Sequence, residues 1–125
     1  MVVVIIGVLA ALAIPAYQNH VIRAKVSEGL GLASPAKIAI HESVVINGSL
    51  PANQAETFYT SPDATEHVSS VLIAGDGTGV ITISYHPSAG GGTIILNPSV
   101  DAERNISWTC TGGTLLDQFR PANCR

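Results

Sequence analysis

Charge is scarce in this sequence. Asp, Glu, Lys and Arg make up 12% of its 125 residues, roughly half of what a soluble domain carries, while apolar residues reach 46%. The chain is therefore neither a disordered tail nor a highly charged cytosolic domain. Six basic residues against nine acidic ones leave a formal charge of −3. No run of Lys or Arg exists to release counterions from a phosphate backbone, so direct DNA binding is not expected. Histidines are few, and His20, His41, His67 and His86 share no metal-ligand spacing. No Ser-centred nucleophile elbow occurs. Asp76-Gly77-Thr78-Gly79, with Asp101 and Glu103, lacks the ligand series of a calcium loop and reads as a turn. Neither catalysis nor a metal or cofactor is expected, and the length leaves no room for a second folded domain.

Cysteine is nearly absent too. Cys110 and Cys124 are the only two, both near the C-terminus. Zinc sites want ligands in close pairs, which this spacing does not offer. The spacing favours a disulfide over two buried thiols. Closing a loop of this size stabilises a fold by about 3 kcal/mol in the chain-entropy model. It would also fasten Thr111–Arg125 to the preceding strand and place the domain in an oxidising compartment.

What the chain does have is an uneven spread of apolar residues. Met1–Ala16 (MVVVIIGVLAALAIPA) is apolar apart from Gly7 and Pro15, and no charged residue precedes Arg23. As a helix this run spans about 24 Å, short of the roughly 30 Å hydrocarbon core of a bilayer. It is either a signal-peptide core or part of a longer segment. A signal peptide opens on a basic stretch, which is missing. Ala11-Leu12-Ala13 would pass as its cleavage site, but the helical pattern continues beyond it. Val26, Leu30, Ala33, Ile40 and Val44 recur at helical spacing, with Arg23, Lys25, Ser27, Lys37 and His41 between them.

These residues predict one helix about 69 Å long that stops at Asn47-Gly48. Its first third must project from any small domain. Pro15 and Pro35 each remove an N–H and crowd the carbonyl one turn back, which predicts a kink at each. The Gly7–Pro15 stretch either only bends the rod or unwinds under load. Arg23 and Lys25, immediately after the apolar run, would place the head in the cytoplasm by the positive-inside rule. A disulfide argues for the other side. The two agree if stronger basic charge precedes Met1, as in a removed leader.

Beyond the helix, residues 47–67 carry Pro51 and Pro62 and no sustained period, so they read as a long connection that Phe58-Tyr59 pins to the core. Short runs of period two follow: Val68–Ala74, Val80–Tyr85, Thr93–Leu96 and Ile106–Cys110. Ile81, Ile83 and Tyr85 mark one buried face, and Ile106, Trp108 and Cys110 another. Glycine-rich links join the runs into an antiparallel meander. The amphipathic half of the helix is the only element available to cover it. The expected fold is α+β: a long N-terminal helix packed on a four-stranded antiparallel sheet, with a C-terminal disulfide-closed loop. The expected division is a protruding apolar helix over 1–22 and a head over 23–125. Within the head lie an amphipathic helix 23–46, a loop 47–67, a sheet 68–110 and a disulfide-bounded region 110–124. Asn105, in an Asn-x-Ser acceptor with Glu103 two before it, is expected to enter a strand and stay unmodified.

MVVVIIGVLAALAIPAYQNHVIRAKVSEGL resembles the N-terminal signature of type IV pilins, in which an apolar helix containing Gly and Pro leads into Ala-Tyr-Gln and an amphipathic half. Gly7, Pro15, Ala16, Tyr17 and Gln18 match it directly. The meander and the Cys110–Cys124 pair fit the same layout, that of a type IVa-like major pilin. In the family this signature is preceded by residues that the sequence given does not include, among them the methylated N-terminus and an acidic residue used in assembly. The chain as written is expected to fold but not to be processed or assembled normally.

The resemblance implies a homopolymer. Met1–Ala16 waits in the inner membrane and then moves, with the help of the pilus assembly machinery, into the core of an extracellular filament. Val3, Ile6, Leu9 and Leu12 would pack in that core, and Gly7 and Pro15 would bracket a stretch that loses helix. Filaments of the family serve adhesion, twitching motility or DNA uptake, and act at host surfaces or as phage receptors. Within Thr111–Asn123, Leu115 and Phe119 are expected to pack inward, while Thr111, Gly112, Gly113, Asp117 and Arg120 form a candidate surface-contact loop. A pseudopilin of type II secretion is one alternative, against which the cysteine pair counts. A secreted binding domain with a signal peptide is the other. A filament conducting through stacked aromatics is not expected, since Tyr17 is the only aromatic before Phe58.

Overall fold

The computed structural model describes residues 1–125. Two helices, α1 (Val2–Leu32) and α2 (Ser34–Asn47), form nearly all of the N-terminal part of the chain. They meet at Ala33, which keeps right-handed helical dihedrals and donates its N–H to Gly29 O at 3.0 Å. The pair therefore runs as a single rod of 46 residues. Pro35 explains the join: with no N–H it leaves Gly31 O without its intrahelical partner, so the ladder lapses there and restarts with proline in the first turn of α2. At Pro15, where a kink is equally expected, α1 stays helical. The rod ends as its sequence predicts, on Gly48 in the left-handed region (φ +78°), with its N–H donated to Val44 O.

Four strands follow, β1 (Val68–Ile73), β2 (Ile81–Tyr85), β3 (Thr93–Val100) and β4 (Ile106–Gly112), in sheet order β1-β2-β3-β4 and antiparallel throughout. Ile81, Ile83 and Tyr85 alternate with half-buried Thr82 and Ser84, which gives β2 one core face. β1 places Val68, Val71 and Ile73 in the core, a spacing that strict alternation forbids. A bulge between Val68 and Ser70 supplies the extra residue and restores the register. β3 continues past Leu96, where the sequence pattern stops, to Val100. Pro98 is tolerated because β2 pairs only with Thr93–Leu96 and leaves that end of β3 bonded to β4 alone.

The helix lies across this sheet. Ile22, Val26, Gly29, Ala33, Ala36, Ile40 and Val44 recur at intervals of three or four and form its inner stripe. Ile22, Val26, Ala33, Ala36 and Ile40 of this stripe meet Val71, Ile81, Ile83, Ile94 and Leu96 from the sheet in one continuous core. The small residues of the stripe let the backbone of the rod come close to the sheet, and Tyr85 uses that closeness to donate its hydroxyl to Val26 O at 2.8 Å. Lys37 lies over the Trp108 ring at 5.5 Å, tying α2 to β4.

The connection over 47–67 differs from its sequence reading. Of the Phe58-Tyr59 pair only Tyr59 pins it, half-buried against the core, while the Phe58 ring is 99% exposed and its backbone sits at φ +56°. Pro51 and Thr57 are buried instead, and Gln54 fastens the segment by accepting from Ile73 N at 3.0 Å and donating to Ser61 Oγ at 3.0 Å. Asn105 also departs from expectation. It sits in the turn before β4, held by Asp101, whose carboxylate accepts from Asn105 N and Nδ2 at 2.7 and 2.9 Å. Those bonds hold the Asp101 carboxyl below the usual carboxylate range.

Candidate assembly surface and C-terminal loop

Every residue from Met1 to Gln18 is exposed. The core face of the rod begins only at Ile22, so the first part of α1 has no sheet beneath it and leaves the head as a bare arm. Val3, Ile6, Leu9 and Leu12 all lie on this arm with most of their surface open, as do Val2, Val4, Ile5, Val8 and Ile14. A step of three residues turns a helix by about 300°, so the first four wind around the arm and do not share one face. The arm is apolar on all sides. Leaving a large aliphatic side chain in water costs about 1.5–3 kcal/mol relative to burial. Over a whole arm that cost exceeds the net stability of a small domain, so the arm requires lipid or other apolar surface. The rod is long and apolar enough to cross a membrane. Gly7 and Pro15, which bracket the centre of the arm, are both helical in the subunit, and Gly7 has open space where a Cβ would go.

The second region is the C-terminal loop. Cys110 on β4 and Cys124 form a disulfide, so of the two sequence readings the bridged one holds. Thr111 and Gly112 end β4, and Gly112 pairs with Ile95. Gly113 follows with φ +101°, a conformation that suits glycine. Thr114 and Thr93 then exchange bonds, each backbone N–H donating to the other's hydroxyl at 3.1 Å. Leu115 is buried and Phe119 half-buried, so both pack inward as expected, whereas Leu116 faces out.

Of the residues assigned to surface contact, Thr111, Gly113 and Asp117 are exposed and Gly112 is half-buried. Arg120 is a correction, since it is only 2% exposed. Its Nε donates to Leu115 O at 2.8 Å, and its Nη1 reaches Gly112 O at 2.9 Å, Cys110 O at 3.2 Å and Cys124 O at 3.3 Å. Asp117 stands 3.7 Å from Nε and is solvent-exposed, so it adds little. Arg120 gathers carbonyls that an irregular loop would otherwise leave unpaired. The charge pattern alone places an arginine on the surface. The available signal was that a disulfide-bounded segment with no strand of its own needs donors for its carbonyls, and Arg120 is the only side chain between the cysteines rich in them.

Replacing both cysteines by serine is expected to lower the unfolding free energy by about 3 kcal/mol. The loop supplies Leu115 to the core and the isoleucines come from rod and sheet, so helix and sheet should persist. Urea denaturation monitored by circular dichroism gives the first quantity. Faster amide exchange confined to residues 111–125 gives the second.

A rod packed over a four-stranded meander, with a bare apolar arm and a clasped C-terminal loop, defines a subunit whose arm is completed outside its own fold. The comparisons agree. The model of the pilin family, described as a bacterial filament, matches residues 22–125. The chain is 32% identical to fimbrial protein EcpC of Eikenella corrodens, over 99% of this chain and 84% of that protein. It is also 32% identical to type IV major pilin protein PilE1 of Neisseria gonorrhoeae, over 86% of this chain and 56% of that protein, so it spans little more than half of the gonococcal length. The crystal structure of a type IV pilin of Pseudomonas aeruginosa strain Pa110594 matches with a TM-score of 0.60 at 30% identity, covering 83% of this chain and 97% of that one. This chain belongs to the pilin family, and its fold is that of a type IV pilin. The role the family assigns is structural, and no catalytic function is indicated.

Proposed function

We propose that this chain is the repeating subunit of a type IV pilus, held in the inner membrane by Met1–Ala16 before assembly and by neighbouring copies of the same arm afterwards. The observation that carries this reading is the arm: an apolar helix with no partner in its own fold, continuous with the rod that forms the core of the head. Head-to-tail contacts that do not close into a ring extend without limit, as a filament requires. Moving the arm from lipid to other arms keeps Val3, Ile6, Leu9 and Leu12 out of water at every stage. Gly7 and Pro15 mark the place where the rod gives during that transfer. Pro15 donates no hydrogen bond to Ala11 O, and glycine destabilises a helix interior by about 1 kcal/mol, so the stretch between them opens at lower cost than the rest of α1.

In the filament the heads face outward and expose Thr111, Gly113 and Asp117 beside Gly112. This loop is the proposed contact surface for adhesion, for twitching motility and for host-surface or phage recognition, with the pilus assembly machinery acting on the arm. Electron microscopy of the source cells, with the gene deleted and then restored at full length, tests the subunit role. Fibres should disappear and return. Fibres unchanged by the deletion would assign the chain to a minor or secretion component.

A further inference from the structure

We propose that the neck of the head is a binding collar for anionic phospholipid headgroups, with Lys25 and Arg23 as its charges. This rests on the membrane-held arm proposed above and names what the head touches there. A groove of about 340 Å³ lies where the rod enters the head, lined by Tyr17, Gln18, Val21, Ile22, Lys25 and Ser88. Lys25 Nζ donates to Ser88 O at 3.1 Å across it, which holds the ammonium at the groove and leaves it further donors. On the other side of the rod, Arg23 Nε donates to Gln118 O at 2.8 Å and leaves both terminal nitrogens free. Neither cation has a carboxylate within salt-bridge distance; the only ion pair in the chain is Arg120–Asp117. Behind the groove lining, the Ser88 hydroxyl is 3.3 Å from His67 Nδ1 and donates to the backbone carbonyl of Glu66. Glu28, half-buried, lies one turn further from the arm than Lys25.

Position selects the ligand. Arg23 and Lys25 stand about 10–14 Å along the helix from the last residue of the apolar run, and helical side chains lean back toward the N-terminus. Their long stems bring both charges into the headgroup layer, which is about 5–8 Å thick on each face of a bilayer. Tyr17, 70% exposed, sits at the boundary where aromatic side chains favour the interface. Two unneutralised cations on opposite sides of one helix, each braced against a loop of the head, fit phosphodiesters arranged around the arm. They also fix the height of the head above the bilayer.

The full chain, reconstituted in phosphatidylcholine bilayers, tests this with trace spin-labelled phosphatidylglycerol or spin-labelled phosphatidylcholine, the motionally restricted fraction being read by electron paramagnetic resonance. The wild type should select phosphatidylglycerol by about fivefold with one cation engaged and roughly 25-fold with both. Arg23→Gln with Lys25→Gln should bring the selectivity close to one, while the exchanged pair Arg23→Lys with Lys25→Arg keeps it. Inorganic phosphate at millimolar concentration should not displace the lipid. Equal restriction of both lipids by the wild type would overturn the collar and leave the membrane-held arm standing. No restricted lipid of either kind would overturn both. Displacement by free phosphate would make the groove an anion site and overturn the headgroup assignment.

Discussion

Gly29→Ala is expected to destabilise the head by about 2–4 kcal/mol, although alanine is the better helix former. A Cβ built on Gly29 falls 2.5 Å from Tyr85 Oη and 2.7 Å from Cζ. Tyr85 is 5% exposed, lies on the core face of β2, and is tethered by its hydroxyl to Val26 O. Two costs combine. The ring overpacks against the new methyl, at about 1–3 kcal/mol, and the shift that relieves this pulls its hydroxyl from Val26 O and leaves both groups buried and unpaired, at about 1–3 kcal/mol more. The gain in helix propensity, about 1 kcal/mol, offsets only part of this. Gly31 provides the control. It is exposed and has nothing within 4 Å of its notional Cβ, so Gly31→Ala should be neutral or stabilise by up to about 1 kcal/mol. Urea unfolding of the two variants checks both signs. Equal effects would show that the Tyr85 contact does not govern how closely rod and sheet approach.

The same tyrosine makes stability depend on alkaline pH. Burial pushes its phenol well above the ordinary value near 10, an effect that Glu28 reinforces and Arg120 opposes. The folded state keeps its proton where the unfolded chain loses it. Stability is therefore fully present below about pH 10 and falls as the pH rises above it. Tyr85→Phe should flatten that decline.

The rod, the meander and the clasp were legible in the sequence because each leaves a periodic or punctuating signal. Val26, Ala33, Ile40 and Val44 repeat as a helix face must, Ile81, Ile83 and Tyr85 as a strand face must, and Asn47-Gly48 ends the rod where glycine accepts a positive φ. What was not legible depends on non-local facts. The bulge after Val68 moves one residue out of alternation, and nothing local announces it. Pro98 reads as a strand breaker until it is known that β2 has already ended opposite Leu96. Phe58 reads as core because it is large and apolar, but it ends a short helical turn in the left-handed region and points to solvent, leaving Tyr59 and the hydrogen bonds of Gln54 to anchor the segment. Of the assembly surface, the arm was plain as a charge-free run. In the C-terminal loop the inward packing of Leu115 and Phe119 was legible, whereas the burial of Arg120 was hidden by its charge.

Arg120→Leu should cost about 3–5 kcal/mol, at least as much as loss of the disulfide. The side chain fits by volume, so the loss falls on hydrogen bonding. Four carbonyl oxygens, those of Cys110, Gly112, Leu115 and Cys124, turn toward the guanidinium, and an apolar replacement removes that donor from all four, of which Leu115 O and Cys124 O are buried and the other two partly so. Cys110 and Cys124 are themselves the bridged residues, so the covalent clasp and the guanidinium hold the same two chain segments. Their losses should therefore not add: combining Arg120→Leu with the double serine variant should cost clearly less than the sum of the two separate effects. Arg120→Lys is the sharper test. Lysine keeps the charge but has a single tetrahedral nitrogen in place of the planar fork, and it cannot reach Leu115 O and the carbonyls on the far side together. It should recover less than half of the loss. Amide exchange should rise across residues 111–125 and remain slow at Ile83 and Ile94, because Leu115 is the one residue of the loop among the fourteen that form the buried core. Full rescue by lysine would mean that charge alone holds the loop. Uniform exchange over the sheet would mean that the loop and the core unfold as one unit, and the outward surface formed by Thr111, Gly113 and Asp117 could then not vary without cost to the filament subunit as a whole.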